Sequence, residues 1–187
     1  MAGVTRVAGA ALAVCLLLAA DGPEILRPTH ESVVPPGEIT VVARTKQGKL
    51  TLDGKPLVLA EAGPGAFSAE VEAAPGRHEL VLEDTAGTRT VSFFAGDAKD
   101  APEGWRRFRS HPPVAACGAC HKVEEGAWTF AGDASCFGCH EKEKFPEAHT
   151  HNPVVLAECQ MCHLPHGSTA PAHLKLRRDL ACKQCHG

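Results

Sequence analysis

Four copies of one pentapeptide constrain this chain more than anything else in it. They are Cys117-Gly118-Ala119-Cys120-His121, Cys136-Phe137-Gly138-Cys139-His140, Cys159-Gln160-Met161-Cys162-His163 and Cys182-Lys183-Gln184-Cys185-His186. The chain has 9 cysteines and 11 histidines in 187 residues, and the repeats take every cysteine except Cys15. With histidine at about 6% of residues, four chance histidines behind C-x-x-C would arise about once in 100,000 trials. The surrounding stretch, from 111 onward, is poor in bulky apolar side chains: Trp128, Phe130, Phe137, Phe145, Val154, Val155, Leu156 and some later leucines. The whole chain has no tyrosine and only 5% aromatic residues. A segment so short of apolar bulk must fill much of its core with something other than side chains.

The spacing names the filler. Two cysteines three residues apart share one side of a helical turn. Their sulfurs then reach the two vinyl groups on one edge of a porphyrin, and the following histidine swings beneath the ring to give a nitrogen to iron. C-x-x-C-H is the attachment signature of a c-type haem. Cys117, Cys120, Cys136, Cys139, Cys159, Cys162, Cys182 and Cys185 are therefore the expected attachment points for four covalently bound haems. His121, His140, His163 and His186 are the expected proximal ligands. Tandem C-x-x-C pairs also make four-thiolate zinc sites or redox disulfides. Zinc ribbons need no histidine after each pair, however, and no thioredoxin-like β-α-β pattern surrounds these.

Counting indicates the second axial ligand. Methionine is the usual alternative to histidine, but the chain has only Met1 and Met161, and Met161 is held inside a motif. Five histidines remain beyond residue 110: His111, His149, His151, His166 and His173. Four irons need four of them, so six-coordinate bis-histidine iron of low potential is expected, since a Met/His pair raises the potential. Irons left open, with these histidines on the surface, are the alternative.

An internal repeat orders the motifs. His111-Pro112-Pro113-Val114 precedes Cys117, and His151-Asn152-Pro153-Val154 precedes Cys159, giving two units at about 111–148 and 149–187. The arrangement resembles the doubled C-x-x-C-H multihaem cytochromes, close in type to class III tetrahaem cytochromes c. The second unit matches best, through H-x-P-V, C-x-x-C-H, Pro165-His166-Gly167-Ser168 and a closing C-x-x-C-H. The resemblance implies distal-ligand roles for His151 and His166, and His111 inherits one through the repeat. The first unit has Lys122-Val123-Glu124 where the second has Leu164-Pro165-His166. It lacks that ligand, and His149 is expected to supply it, with His173 in reserve.

The rest of the chain reads differently. Arg6 precedes an apolar run from Val7 to Ala20 that Asp21-Gly22-Pro23 breaks. This is shorter than the roughly 20 residues of a membrane span and reads as a signal peptide over 1–20, with an uncleaved anchor as the alternative. Export would place the protein in the periplasm or outside the cell, where thiols oxidise. Residues 22–98 alternate strand-like runs, 39–44, 49–52, 56–59, 66–72, 78–83 and 88–95, with turns at Asp53-Gly54, Pro64-Gly65, Pro75-Gly76 and Ala86-Gly87. The pattern D-G-K-P-L, G-x-F, A-P-G-x-H-x-L and D-x-x-G resembles bacterial immunoglobulin-like domains, which implies a β-sandwich. His30 and His78 are read as surface or core imidazoles. Residues 99–110 read as a linker, whose Arg106, Arg107 and Arg109 form a solvated patch or pair with haem propionates. Lys175, Arg177 and Arg178 carry the same two readings.

The expected fold is thus two domains, an all-β immunoglobulin-like sandwich followed by a small, mostly irregular and short-helical multihaem domain over 111–187. Close packing of four macrocycles would let electrons hop between them. The expected function is electron relay between redox partner proteins, such as other cytochromes or a membrane oxidoreductase, and not catalysis. A haem enzyme reducing a small oxyanion, or a self-associating structural subunit, are the alternatives. A net charge of -3 gives no reason to expect a nucleic-acid partner.

Overall fold

The computed structural model describes residues 22–111, 118, 120–130, 140 and 159–186, with Phe130, Cys182 and 184–186 described by backbone alone. The expected signal peptide lies outside the described residues, as do Cys117, Cys136, Cys139, His149 and His151. No helix among the described residues is long and apolar enough to cross a membrane.

Residues 22–110 form two facing sheets. One holds four strands in the order β1 (Glu24–Arg27), β3 (Gly37–Arg44), β7 (Ala66–Ala73) and β6 (Ala60–Gly63), all antiparallel. The other runs β10 (Arg106–Arg107), β2 (Ser32–Val34), β9 (Gly87–Ala95), β8 (Gly76–Asp84), β4 (Lys49–Leu52) and β5 (Lys55–Pro56). In it β2 pairs in parallel with both β9 and β10. Strand alternation sends one face of each sheet inward. Val41, Ala43, Ala69, Val71 and Ala73 from the first sheet meet Leu50, Leu52, Leu80, Leu82, Val91, Phe93 and Ala95 from the second in one apolar core. Phe93 is its largest fully buried side chain. Asp53 and Gly54 turn the chain from β4 to β5 at φ 50° and 77°, the left-handed pair that a two-residue hairpin turn demands.

The strands read from alternation lie close to where the sequence places them, but the sandwich has more. Of the expected strand 56–59 only Pro56 is in a strand, as the end of β5; residues 57–59 link β5 to β6, with Leu57 and Leu59 packing against the core. β1 and β2 are too short for a period-2 signal. β10 falls within the stretch read as a linker and is held there by its backbone. Arg106 N–H donates to Glu31 O (3.3 Å) and Phe108 N–H to Val33 O (2.8 Å). Phe108 then packs against the sandwich core.

Beyond residue 110 the described elements are short. A hairpin joins β11 (His121–Glu124) to β12 (Ala127–Phe130). Single 3-10 turns span Cys159–Met161 and Pro171–His173, and a helix, α1, runs over Arg178–His186. The hairpin is not anticipated by the sequence reading.

Candidate functional site

The third C-x-x-C-H motif has the backbone its chemistry needs. Cys159 opens a 3-10 turn, and its carbonyl accepts from Cys162 N–H (3.2 Å) and His163 N–H (2.9 Å). Cys162 is a free thiol, as is Cys120 in the first motif. The fourth motif lies along α1. His163 Nδ1 donates to the carbonyl of Ala172 at 2.7 Å. That bond fixes the tautomer and leaves Nε2 with its lone pair as a metal donor, the usual arrangement for a ligating histidine.

Two pairs of imidazoles converge. The rings of His121 and His166 are 6.2 Å apart between centroids and inclined at 37°. Those of His111 and His140 are 5.9 Å apart and inclined at 52°. Two imidazoles bound to one metal at about 2.0 Å each hold their ring centres about 6 Å apart. Each pair joins a histidine that follows C-x-x-C to one that does not. The donor set therefore fits a haem iron gripped from both faces. His173 lies 5.4 Å from His111, edge to face, and its buried Nδ1 has no hydrogen-bond partner.

The electrostatics suit neutral imidazoles, the form that binds metal. His166 keeps part of its surface in solvent, yet desolvation pushes its pKa below the ordinary value, helped by His121. Desolvation likewise lowers that of His173, with His111, His163 and Arg109 adding to it.

The reserve histidine, His173, is thus close to His111. His166, read as a ligand of its own unit, stands beside His121 of the other unit. The side chains of Cys182, Cys185 and His186 are not among those described. Arg177, a candidate for haem propionates, is engaged by Asp179 through Nε at 3.1 Å and Nη2 at 2.8 Å. In the sandwich, both ring nitrogens of His78 are taken, by Asp53 Oδ2 (2.7 Å) and Ala74 O (2.6 Å). His30 Nδ1 accepts from Ser92 N–H at 3.1 Å.

Residues to which the sequence reading gave no such role join this region to the sandwich. Arg109 N–H donates to Ser168 O (2.9 Å), and Ser168 N–H returns to Arg109 O (3.0 Å). Ser168 Oγ donates to Leu174 O (2.7 Å) and accepts from Ala170 N–H (2.9 Å). A Cβ at Gly167 would stand 2.6 Å from both Arg109 O and Phe108 Cζ. The glycine of the P-H-G-S sequence is thus required by close contact with the sandwich edge. Trp128 on β12 donates from Nε1 to Pro64 O at 2.7 Å. The scarcity of tryptophan was the available signal, since the chain has two.

Residues 151–187 match the family model of the doubled CXXCH motif, and such motifs indicate covalent c-type haem binding. No curated protein matches the chain. Among solved structures it is similar to the fibronectin(III)-like modules of Clostridium thermocellum CbhA, at 16% identity and a TM-score of 0.28, over 40% of this chain and 96% of that one. The β-sandwich rests on its own strand pairing and common core, not on that likeness.

Proposed function

We propose that this chain is an exported tetrahaem c-type cytochrome that relays electrons between redox partner proteins through low-potential, bis-histidine haems. The observation that carries the reading is the convergence of imidazoles, His121 with His166 and His111 with His140, at the separation one iron spans. Cys117 and Cys120 would then hold the first haem, with His121 and His166 as its imidazole donors. Cys136 and Cys139 hold the second, with His140 and His111. Cys159, Cys162 and His163 hold the third, and Cys182, Cys185 and His186 the fourth. His149, His151 and His173 are the distal candidates for these two.

Bound haem supplies one-electron exchange at iron. The chain's own residues supply the grip. The thioethers keep the cofactor where little protein surrounds it, and the Ala172 carbonyl orients His163. At the first two centres imidazoles would hold both faces of the iron and leave no open position for a small substrate, which favours a carrier over a reductase. The leader-like run Val7 to Ala20 supports export.

The test uses protein made in a host that matures c-type cytochromes. Its mass should exceed that of the polypeptide by four haems, and its reduced spectrum should be low-spin and unmoved by carbon monoxide. A bare polypeptide mass overturns the haem reading. Four haems with prompt carbon monoxide binding overturn the carrier reading and point to a reactive iron.

A further inference from the structure

The sandwich is a neighbour of the proposed haem-bearing segment. Three contacts give it a larger part. The Trp128 indole lies against Gly63 on β6, where an added Cβ would overlap its six-membered ring. Its Nε1–H is fixed on Pro64 O at 2.7 Å. The same tryptophan meets His121 edge to face, with centroids 5.4 Å apart. Trp128 and His121 sit on the two paired strands of one hairpin, where Val123 is opposite Trp128 and His121 opposite Phe130. His166 is tethered to the sandwich as well, because Gly167 and Ser168 are seated on Phe108 and Arg109.

We infer that the β-sandwich is a wall of the first haem centre and that Trp128 is a positioning residue for the iron ligand His121. The inference rests on the haem reading given above. The physical argument is one of orientation. A proximal imidazole can rotate about its bond to iron, and the groups that touch it set that angle and tune the metal. Here the group is an aromatic ring at a steep angle to the imidazole, and that ring is itself fixed by a hydrogen bond to a carbonyl of another domain. Gly63 leaves the space for that contact, so the lock has a side-chain half in the haem segment and a backbone half in the sandwich. Pro64, which has no N–H to offer, presents its carbonyl at the β6–β7 turn. With its two ligands held from the sandwich, the first haem is the one whose properties should follow changes made there.

The experiment compares wild-type holoprotein with Trp128→Phe and Gly63→Ala. The first change keeps an aromatic edge beside His121 and removes the donor to Pro64. The second leaves every residue of the haem segment intact and pushes on the indole from the sandwich. Haem number comes from intact mass, and ligand geometry from the low-spin electron paramagnetic resonance signals and a redox titration. Each variant should retain four haems and show one low-spin signal moved, with the others in place. A variant carrying three haems, with the Cys117–Cys120 peptide the bare one, supports the inference as well. Unchanged signals and potentials in both variants overturn it, as does equal broadening of all signals or haem loss spread over all motifs. A wild-type protein without covalent haem would instead fail the haem reading, and intact mass alone reveals that case.

Discussion

The sandwich and the segment after it solve the same problem with different materials. In the sandwich, strand faces bury leucine, valine and phenylalanine side chains in one core, and Leu50, Leu80, Leu82, Val41, Val91 and Phe93 are essentially without solvent contact. Among the described residues beyond 111, only Gly167, Ser168 and Ala170 are buried. Of the larger apolar side chains there, Val123, Met161, Leu176 and Leu180 are 41–47% exposed, and Trp128, Leu164 and Leu174 are half-buried. A chain that buries its own hydrophobes folds on side-chain contacts. A segment that keeps much of its apolar surface exposed needs bulk from elsewhere, and in the proposed reading the haems supply it. The difference teaches where each half gets its stability.

The sharpest break between the halves should come from production without haem attachment. The segment beyond 110 should then be unfolded and open to protease, while the sandwich survives as a resistant fragment with β-type circular dichroism. Collapse of both halves together would show that the sandwich depends on its neighbour. Next in size is Phe93→Ala, which empties the centre of the sandwich core. A loss of about 3–5 kcal/mol is expected in denaturant unfolding of the sandwich, with haem content by mass unchanged. His166→Ala is a smaller perturbation of the whole protein but a specific one. One haem of the four should become high-spin and bind carbon monoxide, while the unfolding midpoint of the sandwich stays put. If all four remain low-spin, His166 is not an axial ligand.

The smallest effect belongs to His78. Burial pulls its pKa down, but hydrogen bonds to the Ala74 carbonyl and Asp53 outweigh this, and the net shift is upward. A folded-state pKa above the unfolded value means the protonated form is stabilised by folding. That contribution is complete below the unfolded value near 6.5 and is lost as pH rises through the higher folded value. The sandwich should therefore melt at a higher temperature near pH 6 than near pH 8, and His78→Gln should flatten the difference. An unchanged pH profile in the variant would remove His78 as its source.

Much of the sandwich is legible in the sequence because its code is local. Alternation in runs such as His78–Glu83 and glycine at the turns both depend on residues a few positions apart. Ser32–Val34 and Arg106–Arg107 escape that code. The first is short, and the second is polar and joins its sheet through backbone bonds alone. The motifs were legible for the opposite reason, since covalent chemistry leaves a fixed spacing whatever the surrounding fold. Pairing between histidines was not legible. Nothing near His166 in the sequence says that it stands beside His121 instead of a ligand in its own unit. That information resides in the folded path, through Gly167 and Ser168 on the sandwich edge. The role of Trp128 was hidden likewise, because its partner Pro64 belongs to another domain.

The reciprocal backbone bridge between Arg109 and Ser168 has a topological consequence. It closes the intervening polypeptide into a ring whose two ends meet at one clasp on the sandwich rim. Closing so long a ring is costly in chain entropy, but the cost grows only slowly with length, so the intervening stretch can vary in size without loosening the clasp. A single nick inside that ring should leave both pieces travelling together through a sizing column until denaturant undoes the fastening.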